Sequence, residues 1–389
     1  MVTTYATPGN VRRELLETIV ARGHDVVVIS PEPAHVMSGP LAASGVRYQE
    51  WPVSRTGIAP RDDTRALARL HRILATERPD VMLVYQIKAV LLAPLAARLA
   101  RVRRVVALVN GLGAVFDNHG FGRTWKAKVA RTVYAASLRA VDEIVFQNPD
   151  DPQYLRTARL LPARAHWRVV PGTGVDLQKL APQPPHLDPP TFTLVSRLLV
   201  SKGIRELVTA AHMIRREHPA ARFRLVGQLE ANDHPDGIRR AELDQWIASG
   251  LVEYLGFTDD VAGVLRETTV FVLPSYYREG IPRTNLEALA AARPIVTTDW
   301  VGCRETVVEG VNGFLIPPKD ATALAERLGR YLRDPELVTS HGRASRALAE
   351  QKFDIRHVNE LMCEALGVLE NTDCATTPTW SNMARPERH

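Results

Sequence analysis

Strand-like apolar runs alternate with helix-like segments along most of the chain, and this alternation limits the possible folds more than any other feature. The first series of runs is HDVVVIS (24–30), DVMLVY (80–85), RVVALVN (104–110) and DEIVFQN (142–148), accompanied by helical patterns such as VRRELLETIVARG (11–23) and AVLLAPLAARLA (89–100). A second series is TFTLVS (191–196), RFRLVG (222–227), VEYLGF (252–257), TVFVLP (269–274) and PIVTTD (294–299). This rhythm predicts parallel, doubly wound sheets and therefore an α/β fold.

A proline cluster separates the two series. The segment APQPPHLDPP (181–190) contains five prolines in ten residues, which is typical of a linker. Because 389 residues exceed what one core usually organises, we predict two Rossmann-like domains facing across a cleft, residues 1–180 and 191–350. A helix over 351–371 is expected to close on either domain, and 372–389 lack any periodicity. Only Val2 to Tyr5 precede the first turn, so either the first strand is very short or the true start lies upstream.

The charge is unevenly distributed. Residues 1–180 carry 25 basic and 15 acidic side chains, a net charge of +10 within a total of +6. The excess is greatest between Arg98 and Arg139, where nine basic residues face only Asp117. This half of the molecule therefore suits an anionic surface or ligand. No recognised nucleic-acid module accompanies the charge, so nucleic-acid binding is not predicted.

Cysteine usage and the opening residues indicate the compartment. Cys303, Cys363 and Cys374 form no CxxC pair, which fits a reducing environment and not a zinc site. The opening MVTTYATPGN has no basic and apolar signal pattern, so a cytoplasmic location is expected.

Two cations and two carboxylates stand where α/β sheets place their ligands. Arg197 follows the strand TFTLVS, and Lys202 begins the next predicted helix, an arrangement suited to a diphosphate, or alternatively two solvated surface cations. Glu279 lies in the turn REGIP, where Gly280 allows close approach of a ligand. Glu287 has two interpretations: a ligand-binding carboxylate, or the partner of Thr284 in a capping box.

These residues occur within an ordered set of longer motifs. SRLLVSKG (196–203), YREGIPRTNLEALAAARPIVTTDWVGCRETV (277–307) and VNGFLIP (311–317) follow one another in that order. In this order they resemble the retaining GT-B glycosyltransferases of family 4, in particular the bacterial polysaccharide and lipid-linked-oligosaccharide branch. The resemblance extends over roughly residues 10 to 370 and is densest between 194 and 318.

The resemblance implies a role for each matching position. Arg197 and Lys202 would hold the diphosphate of a nucleotide-sugar donor, with UDP preferred. Glu279 would contact the donor sugar and Glu287 the ribose, and Arg197, Lys202 and Glu279 would form the catalytic set. The further donor-binding residues would be Gly227, Phe257, Gly280, Ile281, Thr284 and Leu286. The family also implies retention of anomeric configuration, with the acceptor hydroxyl attacking from the side that the leaving group departs.

The acceptor is expected on the N-terminal domain. VYQIKA (84–89) places Lys88 just past a strand, and VNGLGAVF (109–116) contributes Asn110, Gly111 and Gly113, although both glycines also fit ordinary turns. His119 is a further acceptor-side candidate. The acceptor implied by the family branch is a lipid-linked (polyprenyl-diphosphate, such as undecaprenyl diphosphate) sugar or a growing exopolysaccharide, capsule or O-antigen chain.

A basic helix over residues 122–140 predicts contact with a membrane. Trp125, Val129, Val133 and Ala136 recur at helical spacing among lysines and arginines, a pattern found in helices that lie on anionic bilayers. The alternative is a helix that packs this stripe on the sheet. We therefore expect a peripheral enzyme on the inner face of the cell membrane.

No metal or other cofactor is predicted. The 20 aspartates include no Asp-x-Asp pair, which favours amino-acid cations for stabilising the leaving diphosphate. Two alternatives remain at this stage: a sugar-nucleotide 2-epimerase of related fold, and a non-catalytic glycosyltransferase-like partner protein.

Overall fold

The computed structural model describes residues 1–4, 12–54, 59–116, 124–182, 184–231 and 234–368. The chain forms two Rossmann-like domains in which parallel strands are flanked by helices, as the alternating runs predict. The helices are α1 Arg13–Ala21, α2 Ala34–Ala42, α3 Pro60–Glu77, α4 Ile87–Leu99, α5 Trp125–Leu138, α6 Asp150–Thr157, α7 Ile204–Arg215, α8 Arg240–Ala248, α9 Val261–Arg266, α10 Arg283–Ala290, α11 Ala321–Arg333, α12 Glu336–Leu348 and α13 Ile355–Leu366. The strands are β1 Val26–Ser30, β2 Val46–Glu50, β3 Val81–Tyr85, β4 Arg104–Val109, β5 Glu143–Phe146, β6 Trp167–Val169, β7 Thr191–Val195, β8 Arg222–Val226, β9 Glu253–Tyr254, β10 Val270–Leu273, β11 Ile295–Thr298 and β12 Gly313–Ile316.

The N-terminal domain contains two groups of parallel strands joined by the first residues of the chain. Strands β1 and β2 pair with each other, and β3, β4, β5 and β6 pair in that order. Val2 lies between the groups and forms bridges to both Ile29 of β1 and Val84 of β3. Its backbone N–H donates to the carbonyl of Leu83 at 2.8 Å. Within the described residues, this very short segment therefore supplies the backbone that connects the two groups.

The C-terminal domain is a six-stranded parallel sheet in the order β12-β11-β10-β7-β8-β9. Strands β7 and β10 are neighbours near its centre, and every residue of both strands is buried. Apolar runs of this kind are typical of parallel strands covered by helices on both faces. Because parallel neighbours end at the same edge, the loops that follow β7 and β10 meet there.

The chain passes between the domains at two adjacent places. The backbone N–H of Val175 donates to the carbonyl of Phe353 at 2.8 Å, and Ile355 donates back to Val175 at 3.1 Å. Gly174 has a positive φ of 72°, and a Cβ there would lie 2.7 Å from the Cα of Ile355. The two crossings therefore pack backbone to backbone. The predicted linker 181–190 follows the first crossing and is tied to the C-terminal domain by Arg293, which donates to the carbonyl of Pro184 at 3.0 Å.

The last described helix, α13, returns to the N-terminal domain. Met362 and Cys363 are buried in the same apolar cluster as Leu15 and Leu16 of α1. The sequence left open which domain this helix packs on, and the structure places it on the N-terminal domain. The helix is shorter than the predicted span 351–371, because a π-helical turn precedes it at Ala349–Phe353.

Candidate active site

A cavity of about 560 Å³ lies between the two domains. The N-terminal domain lines it with the first turn of α1 and with Gln86, Asn110 and Gln147. The C-terminal domain contributes the loop after β10 and the start of α10, including both predicted carboxylates. A cleft at the carboxyl ends of parallel strands is where open α/β sheets bind their ligands.

Lys202 and Glu279 meet at this edge of the sheet. The Lys202 ammonium donates to Oε1 of Glu279 at 2.6 Å, and the Ser275 hydroxyl donates to the same oxygen at 3.1 Å. Both side chains are largely buried, with 10% of Lys202 and 19% of Glu279 exposed. The Lys202 ammonium also lies 5.3 Å from the ring centroid of Tyr277. The structure thus brings these two predicted residues together as a shielded ion pair.

The turn that carries Lys202 is fixed by its neighbours. It is a 3₁₀ turn, Val200–Lys202, and not the start of the long helix that the sequence suggested. Asp236 holds it, because its carboxylate accepts from the backbone N–H of Ser201 at 3.2 Å and also from the Ser201 hydroxyl. Gly203 then approaches the carbonyl oxygen of Pro274 so closely that a Cβ would lie 2.2 Å from it. This contact joins the loops that carry the two charges.

Arg197 is directed elsewhere. Its guanidinium pairs with Glu230 at 3.3 Å, with 44% of the arginine side chain exposed. It is not among the described residues that line the cavity. The sequence correctly put Arg197 and Lys202 at the end of one strand, but in this structure each cation is paired with a different carboxylate.

Glu287 lies in the cavity wall, and the capping-box interpretation is wrong. Helix α10 begins at Arg283 after Pro282, so Thr284 is the second helical residue. Pro282 is the N-cap, with an extended backbone (φ −60°, ψ 121°), so the helix begins two positions earlier than a Thr284 cap would require. Glu287 instead accepts from Arg283 at 3.0 Å. Burial raises the pKa of Glu287, and Arg283 opposes the rise.

The remaining donor-side candidates fall into three environments. Gly280 and Ile281 line the cavity, whereas Leu286 is fully buried in the core and presents no side chain to it. Gly227 follows β8, with a φ of 139°, and donates to the carbonyl of Gly256 at 2.8 Å. Phe257, the residue after Gly256, has 67% of its surface exposed. An apolar ring is thus largely exposed to solvent in the loop that follows β9.

The acceptor-side candidates also separate. Lys88 is buried, pairs with Asp63 at 2.9 Å and is not among the described residues that line the cavity. Asn110 lines the cavity, and Gly111 and Gly113 both have positive φ and contact the opposite domain. The glycines are therefore turn residues and interdomain contacts at once. His119 lies outside the described residues.

Arg12 is a cavity residue that the sequence reasoning missed. It precedes α1 in a left-handed conformation with a φ of 55°, and none of the ion pairs among the described residues includes it. Burial is the main cause that lowers the pKa of Arg12 to about 10; nearby Arg283 acts in the same direction, while Tyr85 and Glu14 oppose it. Two neighbouring cations without full compensation favour a bound anion. An arginine next to a helix start was the available sequence signal.

Comparison with known proteins agrees with this architecture. The model of a glycosyl transferase 4-like domain matches residues 7–173, and that of glycosyl transferases group 1 matches residues 189–334. The chain belongs to the family 4 glycosyltransferases of GT-B fold. Among solved structures, the glycosyltransferase resembles sucrose-phosphate synthase of Thermosynechococcus elongatus, with a TM-score of 0.76 and 21% identity over 93% of this chain and 97% of the other. Anabaena HepE in complex with UDP and glucose gives a TM-score of 0.75 and 19% identity over 95% and 99%.

Two curated relatives extend over most of the glycosyltransferase. The first is N,N'-diacetylbacillosaminyl-diphospho-undecaprenol alpha-1,3-N-acetylgalactosaminyltransferase of Campylobacter jejuni, 26% identical, covering 84% of this chain and 86% of the relative. The second is UDP-Gal:alpha-D-GlcNAc-diphosphoundecaprenol alpha-1,3-galactosyltransferase of Escherichia coli, 29% identical over 77% and 79%. The predicted family and fold are thereby confirmed.

The predicted basic helix forms as α5, and the alternative that its apolar stripe packs on the sheet is wrong. In α5 the residues Ala127, Ala130 and Tyr134 are buried against the domain. The predicted stripe faces outward, with 70% of Trp125 and 45% of Val129 exposed. Packing on the sheet therefore does not account for this stripe. In the part of the chain that is described, no helix combines the length and apolar character needed to cross a bilayer.

Proposed function

We propose that this glycosyltransferase moves a sugar, with retention of configuration, from a UDP-sugar to a lipid-linked or polysaccharide acceptor in cell-surface polysaccharide synthesis. The observation that carries the proposal is the concentration of anion-binding groups around the interdomain cavity. Helices α1 and α10 both begin at this cavity, and neither has a side-chain cap. The N–H groups at these helix starts, together with Arg12 and Arg283, suit the phosphates of a substrate.

The donor is proposed to lie against the C-terminal domain. Its diphosphate would draw Lys202 and Arg197 away from Glu279 and Glu230, since a diphosphate carries more negative charge than one carboxylate. Charge that develops on the leaving diphosphate is then stabilised by cations already held at the sheet edge. The proposal assigns this task to amino-acid cations without a metal. Among the described residues, no group of three or more histidine, cysteine, aspartate or glutamate side chains could hold a metal ion.

The carboxylates are assigned to binding. Glu279 contacts hydroxyls of the donor sugar, and Glu287 contacts the ribose. The exposed ring of Phe257, next to the loop of Gly227, is the proposed contact for the base. The departing phosphate takes the proton of the attacking acceptor hydroxyl, so Glu279 and Glu287 are not an acid/base pair of a glycoside hydrolase.

The acceptor is proposed to approach from the N-terminal domain and the membrane. The named relatives act on diphospho-undecaprenol substrates, which combine anionic phosphates with a long apolar chain. The outward stripe of α5, with exposed Lys128 and Arg139 beside it, offers an apolar and cationic surface. We therefore place the enzyme on the cytoplasmic face of the membrane as a peripheral protein.

The test is a thermal-shift series with UDP, GDP and ADP and their sugars, each with and without EDTA. A nucleotide at 100 times its Kd should add about 2.7 kcal/mol to the free energy of unfolding. We expect a shift selective for uridine nucleotides, insensitive to EDTA and lost in Lys202→Ala. Sugar transfer to a polyprenyl-diphosphate-linked acceptor, with the product anomer determined by NMR, completes the test. Epimerised free sugar without transfer would favour an epimerase, and no shift with any nucleotide would favour a non-catalytic partner.

A further inference from the structure

The loop that carries Glu279 is bound on both sides by the other domain. The backbone N–H of Gly113 donates to the carbonyl of Arg278 at 3.0 Å, and the N–H of Gly280 donates to the carbonyl of Asn110 at 3.1 Å. Gly111 fits between them so closely that a Cβ would lie 2.6 Å from the backbone of Glu279. The position of Glu279 therefore depends on the approach of the N-terminal domain.

The side chain of Arg278 strengthens this attachment. Its guanidinium lies 4.1 Å from the ring centroid of Tyr154, and Nη2 lies 3.3 Å from Oδ1 of Asp151. Both partners belong to α6 of the N-terminal domain. Only 15% of the Arg278 side chain and none of the Asp151 side chain is exposed. An arginine that stacks on an aromatic ring and pairs with a buried carboxylate is held in orientation as well as in position.

The two side chains that Arg278 contacts are themselves held by hydrogen bonds. Asn148 donates its side-chain amide to Oδ2 of Asp151 at 2.9 Å and accepts the Asp151 backbone N–H at 2.9 Å. The Tyr154 hydroxyl donates to the carbonyl of Phe116 at 3.1 Å. The other oxygen of Asp151, Oδ1, has no hydrogen-bond partner among the described residues and lies 3.3 Å from Nη2 of Arg278. The buried carboxylate therefore depends on Arg278, which arrives from the opposite domain.

We propose that Arg278 and Asp151 are positioning residues that place the Glu279 carboxylate for the donor sugar only when the two domains are closed. The inference rests on the proposed function, because it assumes that Glu279 contacts the donor sugar. Arg278 touches no substrate in this scheme. It transmits domain closure to the adjacent residue through a backbone that is hydrogen-bonded on both sides.

A neighbouring ion pair provides a matched control. Arg304 of the C-terminal domain pairs with Asp150 of the N-terminal domain at 3.1 Å. This pair also bridges the two domains, and Asp150 directly precedes Asp151 in the sequence. Arg304 binds Asp299 with its other nitrogens and forms no hydrogen bond or ion pair with residues 278–280 among the described contacts. Loss of this pair therefore removes an interdomain contact that involves none of residues 278–280.

The experiment compares Asp151→Asn, Arg278→Lys and their double variant with the control Asp150→Asn. For the three test proteins we expect kcat to fall about 100-fold, which is the effect that a displacement of about 1 Å in a catalytic site can produce. Calorimetric Kd values for UDP, which lacks the sugar, should change less than about threefold. The double variant should be no slower than the slower single variant, because both act through one contact. Asp150→Asn should keep kcat within about threefold.

Three outcomes would overturn the inference. These are normal kcat in both single variants, multiplicative losses in the double variant, or an equal loss in Asp150→Asn. This inference alone is refuted if the wild-type protein transfers sugar, the Lys202→Ala variant loses activity and the Arg278→Lys variant keeps normal activity. A wild-type protein without nucleotide binding or transfer would refute the proposed function and this inference together.

Discussion

Replacing Lys202 with methionine separates the structural role of its ion pair from the proposed role in catalysis. Among the described residues, the substitution leaves the Glu279 carboxylate with one hydrogen-bond donor, Ser275, and 19% of the Glu279 side chain is exposed. Breaking a fully buried pair costs about 3–5 kcal/mol. Because the Glu279 carboxylate is partly exposed, we expect a smaller loss of about 2 kcal/mol in the free energy of unfolding. Adding Glu279→Gln removes the uncompensated charge and should recover at least half of that loss.

Activity should also fall, but the second substitution should not recover it. Lys202→Met is expected to lower kcat by about 10²–10³, since the leaving diphosphate loses a preorganised cation, and the added Glu279→Gln should not restore it. Urea denaturation measures the stability of both variants, and radiolabelled sugar transfer measures kcat. The control is Lys319→Met, an exposed lysine whose ammonium lies 4.8 Å from the ring centroid of Tyr276, with an expected change within about 0.5 kcal/mol. The reasoning fails if Lys202→Met retains normal turnover, or if the double variant is less stable than Lys202→Met.

Two further predictions concern pH and the membrane. Burial raises the pKa of Asp151 from 3.8 to about 6, against the opposing effects of Asn148 and Arg278 and with a small contribution from Asp150. Because the folded protein holds this proton more tightly than the unfolded chain, the Asp151 contribution to stability should fall as pH rises from 3.8 to about 6. A Tm difference between wild type and Asp151→Asn that stays constant over this range would contradict the assignment. Trp125→Ala should weaken co-sedimentation with anionic vesicles, and binding of the wild type should decrease with added salt. The control is Ile247→Ala, which replaces an exposed apolar residue of α8 and should leave binding unchanged. Salt-independent failure of the wild type to bind would remove α5 from the membrane interface.

The strand pattern was recoverable from the sequence because a buried parallel strand must be apolar on both faces. TFTLVS, RFRLVG and TVFVLP predicted β7, β8 and β10 to within one residue at each end. The strands β2 and β6 were missed, since VRYQE and WRV are short and partly polar. An edge position requires less apolar surface, so composition alone gives a weak signal there.

Side-chain partners were less predictable than positions. The order of residues correctly placed Lys202 and Glu279 at adjacent strand ends, but it did not indicate that they would pair with each other while Arg197 turned to Glu230. The capping-box error at Thr284 has a similar origin. A local motif competed with Pro282, and the outcome depended on the actual φ and ψ of the loop.

The sequence by itself determined the α/β rhythm, the two-domain arrangement and the family motifs, because each of these is written in periodicity or in residues close together along the chain. Only the tertiary structure decided that α13 packs on the first domain and that Arg12 faces Arg283. It also decided that Arg278 reaches Asp151 and Tyr154, which lie more than a hundred positions away. Such contacts depend on how the two sheets face each other, and that geometry follows from the packing of the whole molecule.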